Sequence, residues 1–162
     1  MSLTQNFKQN TYLGYLALVR IAVGYHFMTA AWPKLTGSFV DGHLLPEDLV
    51  KTVAKDPFAW HRAFIQAFVI PHAVFFSHLI AFGEMAIGIS FVVGCLVRVS
   101  GIFSAFHNFN ILLAIAWANG GAQLGLNRTY IVLGVVFALS GAGRSLGLDG
   151  LLKRRFPGTW LL

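Results

Sequence analysis

The chain has 162 residues and a mass of 17.7 kDa, enough for a single domain. Hydrophobic residues make up 56% and charged residues 11%, whereas a soluble domain has about 25% charged residues. This composition excludes a soluble globular protein and a disordered chain, and indicates an integral membrane protein. The net charge of +6 is a feature of many nucleic-acid-binding proteins. Here no basic run lies beside an aromatic cluster, so we expect no nucleic-acid partner.

Four apolar runs are long enough to span a bilayer, which takes about 20 residues. They lack the alternation of strands and exceed the length of a barrel strand, so we predict helices. The expected architecture is all-α: one transmembrane domain over 1–162, a four-helix bundle with one long extracytoplasmic loop. The predicted spans cover residues 12–32, 71–96, 99–118 and 124–142.

Two segments outside the spans are amphipathic. Residues 58–70, in the long loop, are rich in aromatic side chains and favour a helix lying on the membrane interface. The alternative is that this segment extends the second span past Pro71. Residues 146–162 form a basic amphipathic tail, with Trp160 suited to an interface.

An even number of spans places both termini on one side of the membrane. Lys and Arg are slightly more numerous on the terminal side, where Lys153, Arg154 and Arg155 cluster close to the membrane. Because cytoplasmic loops carry excess Lys and Arg, we predict a protein of the cell (inner) membrane with cytoplasmic N- and C-termini. The terminal side holds Lys8, Arg98, Arg144 and that cluster, and the other side holds Lys34, Lys51, Lys55, Arg62 and Arg128.

Two charged residues, Arg20 and Glu84, fall in the middle of the first and second spans. A charge at the bilayer centre costs at least about 2.5–3.5 kcal/mol on insertion scales, so such residues usually find partners inside the bundle. We therefore predict an Arg20–Glu84 ion pair, with either an architectural or a functional role. Gly24 and Gly88 share faces with these charges and would let neighbouring helices approach closely.

The third span contributes His107, Asn108 and Asn110. A histidine can take up or release a proton near neutral pH, so His107 with Glu84 and Arg20 would form a polar pocket for a small anion or a quinone carbonyl. The alternative is that these polar side chains only join helices by hydrogen bonds. Haem between His26 and His78 or His107 is conceivable by residue type, but no attachment motif is present, so we expect neither haem nor metal. Cys95 is the single cysteine, which excludes an intramolecular disulfide.

Four short motifs follow one another along the chain. They are Arg20-x3-Gly24-x2-Phe27 followed by Lys34, Gly83-Glu84-x3-Gly88, Gly94-x3-Arg98, and the run from Gly141 to Asp149 that includes Arg144. Together these motifs resemble the DoxX family of small four-helix membrane proteins, over residues 20–149. The long first loop with Trp60, and Pro71 before the second span, are most similar to its DoxD-like branch, the small subunit of thiosulfate:quinone oxidoreductase.

The resemblance implies a subunit of a quinone-linked oxidoreductase that oxidises thiosulfate or another reduced sulfur compound. Quinone would be the electron acceptor, and a second subunit or a second copy would be the protein partner. On this hypothesis Arg20, Lys34 and Arg98 hold the anion, with Asn110 also on the substrate side, and Glu84 or His107 handles the protons of quinol formation. Gly24, Gly88, Arg144 and Asp149 would be structural.

Two other functions remain open at the level of sequence. The chain could be a non-catalytic anchor or assembly partner of a redox enzyme. It could also bind or transport a lipid-like or anionic solute, since intramembrane Arg and Glu fit that role equally well.

Overall fold

The computed structural model describes residues 11–162, and this part of the chain is helical without strands. Four of its helices are long and apolar enough to cross a membrane, so the prediction of an all-α membrane bundle is confirmed. These spans are α1 (Thr11–Thr36), α4 (Ala73–Val93), α5 (Val97–Asn119, with a π-helical stretch Leu112–Ala116) and α6 (Gly121–Ser140).

Two short helices fill the long loop between α1 and α4. They are α2 (Leu44–Thr52) and α3 (Ala59–Phe64), and α3 continues into a π-helical turn, Ile65–Val69. A turn over 70–72 separates this segment from α4, so the alternative that it simply extends the second span is wrong. A last helix, α7 (Leu148–Arg155), lies within the tail whose basic, amphipathic character the sequence indicated.

The observed spans are shifted by a few residues from the predicted ones. Lys34 lies in the last turns of α1, beyond the predicted end of the first span. Gly94, which ends α4, adopts φ +72°, a left-handed conformation that favours glycine, and its N–H donates to Ser90 O at 2.8 Å. The second span therefore ends before residue 96, and α5 begins at Val97.

The spans pack as two close pairs, α1 with α4 and α5 with α6, whereas α4 and α5 contact each other much less. Glycines set both crossings. A Cβ placed on Gly24 would lie 2.8 Å from Gly88 O, and one on Gly134 would lie 2.7 Å from Gly101 O. Only a residue without a side chain fits there, as is common where membrane helices touch. The looser α4–α5 boundary leaves room for a groove between the two pairs.

We expect Gly88→Ala to destabilise the bundle and Gly83→Ala, on the same helix, to leave it unchanged or slightly more stable. A Cβ at Gly88 would meet Gly24 O and Met28 N at 2.9 Å, whereas a Cβ at Gly83 meets nothing within 4 Å. Both substitutions gain the same helix propensity, so their difference isolates the crossing. Overpacking of this kind costs about 1–3 kcal/mol. Thermal unfolding in detergent measures it, and equal melting temperatures for the two variants would contradict the close crossing.

The two ends of the described chain lie on the same side of the bundle. Gly147 and Asp149 contact the turn between α4 and α5, since Asp149 N donates to Gly94 O at 2.9 Å. We call this the terminal side, and the opposite side, which carries α2 and α3, the loop side. Large hydrophobic side chains such as Phe82, Phe103 and Leu139 are exposed around the spans, as expected for a multi-pass membrane protein.

Candidate functional site

Glu84 is the buried charge at the centre of the site. It lies in the middle of α4 and is 4% exposed. A carboxylate that deep in a membrane helix needs partners, and two side chains provide them. Lys34 Nζ lies 2.5 Å from each carboxylate oxygen, and His107 Nε2 lies 2.9 Å from Oε1. The three residues come from α1, α4 and α5 and hold these three spans together.

The hydrogen bonds assign the donors within this triad, which we call the Lys34–Glu84–His107 chain. Lys34 has only protons to offer and the carboxylate only acceptors, so His107 donates its Nε2–H to Glu84. Among the described residues, Nδ1 of His107 has no hydrogen-bond partner. That nitrogen can accept a hydrogen bond from a ligand when the ring is neutral, and can donate one when the ring is protonated.

His107 lines a cavity of about 410 Å³, the apolar groove, which lies between α4 and α5 beneath α2 and α3. Its walls are aliphatic and aromatic, and its polar side chains are Ser100, His107 and Asn110. Residues of α2, α3 and the turn after α3 lie over the groove, and we call them its cover. Both π-helical stretches contribute to the groove, Ile65–Val69 from the cover and Leu112–Ala116 from α5. Such π-bulges often occur at functional sites. Phe103 and Phe106 line the groove and are 60% and 66% exposed, so it opens sideways toward lipid.

Lys34 lines a second cavity of about 400 Å³, the polar pocket, on the loop side. Its charged and amide side chains include Asp48, Lys51, Asn119 and Gln123, all exposed. The isoleucines Ile80, Ile111 and Ile115 line both cavities and form the wall between them. Glu84 lines neither, so the Lys34–Glu84–His107 chain connects the polar pocket to the apolar groove through a buried carboxylate.

The predicted Arg20–Glu84 ion pair is wrong. The antiparallel helices α1 and α4 cross where Gly24 meets Gly88. Arg20 lies four residues before Gly24, and Glu84 four residues before Gly88, so the two charges point away from the crossing in opposite directions. Eight residues of helix separate them by about 12 Å along the axis. Arg20 therefore belongs to the terminal side and Glu84 to the loop side.

Arg20 is fully buried, and its Nη2 donates to Leu146 O at 2.9 Å. Its Nε and Nη1 have no hydrogen-bond partner within residues 11–162, and its guanidinium lies so close to Gly94 that a Cβ there would collide with it. The negative charge of Asp149 interacts with it electrostatically. Arg20 thus joins the first span to the segment after the fourth.

Asp149 caps the start of α5. Its carboxylate accepts hydrogen bonds from Leu96 N at 2.6 Å and Val97 N at 2.9 Å. These are amides that a helix N-terminus leaves without intrahelical partners, and the negative charge also suits that end of the helix dipole. Because Asp149 is 1% exposed, these bonds are shielded from water.

Arg98 and Arg144 also lie on the terminal side. Arg98 stacks over the Trp160 ring at 5.4 Å, and Arg144 donates to Leu162 O at 2.8 Å. Arg98 occupies the first turn of α5, nine residues before His107, which is about 13 Å of helix. The structure therefore does not bring together the three cations predicted to hold an anion: Arg20 and Arg98 lie on the terminal side, and Lys34 lies at Glu84.

The match with a protein-family model covers residues 15–161, nearly the whole chain, and the matched model is described as DoxD, the small subunit of TQO, thiosulfate:quinone oxidoreductase. The chain belongs to the DoxD family. This confirms the resemblance to the DoxD-like branch that the sequence showed. The DoxX family, named there as well, is a near relative of DoxD. The comparisons with curated proteins and with solved structures gave no match.

In this DoxD chain the structure brings Lys34, Glu84, His107 and Asn110 to one region, and it places Gly24 and Gly88 at the helix crossing. Sequence reasoning missed Asp56 and His61, which form a buried ion pair beside Asn110. In the sequence this pair is visible only as an acidic residue five positions before a histidine at the start of an amphipathic helix. That pattern is too common to predict a buried pair. In residues 11–162 no group of three or more His, Cys, Asp or Glu side chains is arranged for a metal.

Proposed function

We propose that the chain is the membrane subunit of a quinone-linked oxidoreductase, with the quinone ring in the apolar groove and a reduced sulfur anion such as thiosulfate as the electron donor. The observation that supports this most is the Lys34–Glu84–His107 chain, which links a groove open to lipid with a polar pocket on the loop side. Family membership supports the same reaction class.

The groove suits a quinone in size and in chemistry. Its volume of about 410 Å³ falls in the range of small-molecule sites, and its walls are apolar with a few polar groups that could orient a ring. A quinone reaches its enzyme from the lipid phase, and Phe103 and Phe106 flank an opening in that direction. A bound quinone would supply the capacity to take up two electrons and two protons.

The protein's part in that chemistry is to hold and move protons. His107 donates Nε2–H to Glu84 and keeps Nδ1 for the ligand. When Nδ1 gives up a proton in the groove, the adjacent Glu84 carboxylate stabilises the imidazolium that precedes the transfer, and Lys34 stabilises the carboxylate. The Lys34 ammonium, with its side chain 28% exposed at the polar pocket, offers contact with water for proton exchange.

The polar pocket is the proposed site of the small anion. Lys34 and Lys51 line it, with the amides of Asn119 and Gln123, and Asp48 offsets part of the positive charge. Two thiosulfate ions that join through one S–S bond to form tetrathionate release two electrons, which balances the reduction of one quinone. Lys34 would contact the anion in the polar pocket and, through Glu84, the proton path to the quinone.

The remaining proposals concern assembly and orientation. The family description as a small subunit supports a second protein subunit. The basic α7, with Lys153, Arg154 and Arg155 in its last turn, supports cytoplasmic N- and C-termini in the cell membrane, with the loop side outside. On this orientation the polar pocket faces the extracytoplasmic space.

Turnover tests the proposal. The chain co-purified with its partner and reconstituted with a ubiquinone or menaquinone analogue should reduce that quinone when thiosulfate is added, and form tetrathionate in a one-to-one ratio with quinol. If the complex binds quinone but no reduced sulfur compound drives its reduction, the chain is a membrane anchor or assembly partner, and the catalytic proposal is overturned.

A further inference from the structure

A second buried ionic chain lies at the groove, separate from the Lys34–Glu84–His107 chain. Asp56, in the loop before α3, and His61, in α3, are each 1% exposed and form an ion pair through His61 Nδ1. The backbone N–H of Phe58 donates to the other Asp56 oxygen at 2.9 Å. The other ring nitrogen, Nε2, lies 3.2 Å from Asn110 Oδ1, which brings this pair to the wall of the apolar groove.

The hydrogen bonds determine how Asn110 is oriented. Its Nδ2 donates to Phe106 O at 2.8 Å, so its Oδ1 faces His61 and must accept from Nε2–H. The other ring nitrogen, Nδ1, faces the Asp56 carboxyl group, so both nitrogens of His61 have partners. The Asn110 amide keeps a second N–H, which has no partner among the described residues, at a position that lines the groove.

Asn110 and His107 lie three residues apart on α5 and both line the groove. Residues three apart are neighbours on one face of a helix, separated by about 4.5 Å along the axis. The two carbonyl oxygens of a quinone ring are farther apart than this, so the His107 and Asn110 side chains must diverge along the groove to reach one oxygen each. The two residues also draw on different buried carboxylates, Glu84 for His107 and Asp56 for Asn110.

We propose that Asn110 donates a hydrogen bond to one carbonyl of the quinone while the protonated Nδ1–H of His107 donates to the other, and that Asp56 and His61 are positioning residues that fix the Asn110 amide for this contact. This rests on the proposed quinone site. The contact of His61 with Asn110 also joins α3 to α5. The cover of the groove is therefore held by the same residue, Asn110, that donates to the quinone. The quinone is thus held at both ends and oriented, with the His107 end joined to the proton path.

Infrared difference spectroscopy of quinone bound to the complete chain in lipid, with ¹³C at one or the other carbonyl, tests the proposal. In the wild-type protein both carbonyl bands should lie below their free-quinone frequencies, because both accept hydrogen bonds. In Asn110→Leu and in Asn110→Asp one band should return to the free frequency while the other stays. Asn110→Asp keeps an acceptor oxygen for His61 and replaces the N–H donors with a second carboxylate oxygen, whereas Asn110→Leu removes donors and acceptor without adding a charge.

The matched control is Asn108→Leu. Asn108 lies on the same helix and makes the same kind of bond, Nδ2 to Ser104 O at 2.8 Å, but does not line the groove. It should leave both bands lowered. His61→Gln should raise the quinone KM about tenfold, the effect of one hydrogen bond, with kcat changed much less.

Three outcomes are distinguishable. If quinone binds with both bands lowered and neither Asn110 variant shifts a band, the second-carbonyl contact is overturned and the proposed function stands. If Asn108→Leu shifts the same band as the Asn110 variants, the effect is a general change in α5 and the proposal is also overturned. If the wild-type protein shows no bound-quinone bands at all, the proposed function itself fails.

Discussion

Glu84→Gln should lower thiosulfate-driven quinone reduction by at least about 100-fold, the range seen when a proton-transfer group is lost. Glutamine has the size of Glu84 and keeps contacts to Lys34 and His107, but it has no charge to stabilise a protonated His107. The fold should survive, because Lys34 is partly exposed at the polar pocket and can be solvated once its partner is neutral. The initial rate of quinol formation measures the loss.

The control for this prediction is His78→Gln on the same helix. His78 is exposed, and in the part of the chain that the structure describes its side chain bonds only to Val74 O of its own helix, so the rate should remain that of the wild type. Lys34→Met should also lower the rate strongly, because it leaves the Glu84 carboxylate buried without its cation. A Glu84→Gln protein that retains more than half of the wild-type rate would show that the carboxylate takes no part in proton transfer.

Asp149→Ala should be the most destabilising substitution on the terminal side, by about 3 kcal/mol. It removes two hydrogen bonds to a carboxylate, each about 1.5–3 kcal/mol, and leaves the first amides of α5 without a partner. The apparent melting temperature should fall by about 6–12 °C. Asp149→Asn keeps one acceptor oxygen and should show a smaller drop.

Glu47→Ala is the matched control for Asp149. Glu47 is also an acidic residue in the first turn of a helix, α2, but it is exposed and its side chain makes no hydrogen bond to the described residues. The melting temperature of the Glu47→Ala protein should stay within about 1 °C of that of the wild type, as for most substitutions of exposed residues. A similar small change for Asp149→Ala would mean that the carboxylate does not cap α5.

The spans and the family were predictable from the sequence because both depend on local information. Runs of apolar side chains predict spans whatever their neighbours, and the glycine and charge motifs recur at fixed spacings along the chain. The approach of Gly24 to Gly88 also follows from residue type, since small residues are favoured where membrane helices meet.

The partners of buried charges were harder to predict, because they depend on the register between helices. Arg20 and Glu84 both need partners, and pairing them was the simplest solution, yet the Gly24–Gly88 crossing places them on opposite sides of the bundle. Arg20 donates to the main-chain oxygen of Leu146, 126 positions away, and Asp149 caps a helix that begins 52 residues before it. Composition and periodicity contain nothing about such distant contacts.

The measurement that most directly tests the quinone site is photolabelling of the reconstituted protein with an azido-quinone, followed by mass spectrometry of its peptides. Labelling should fall on the segments of α4 and α5 that line the groove, around Gly83 and around Phe103–His107, and an excess of unmodified quinone should suppress it. Labelling that falls mainly on α1 or α6, or that excess quinone does not suppress, would contradict a quinone site between α4 and α5.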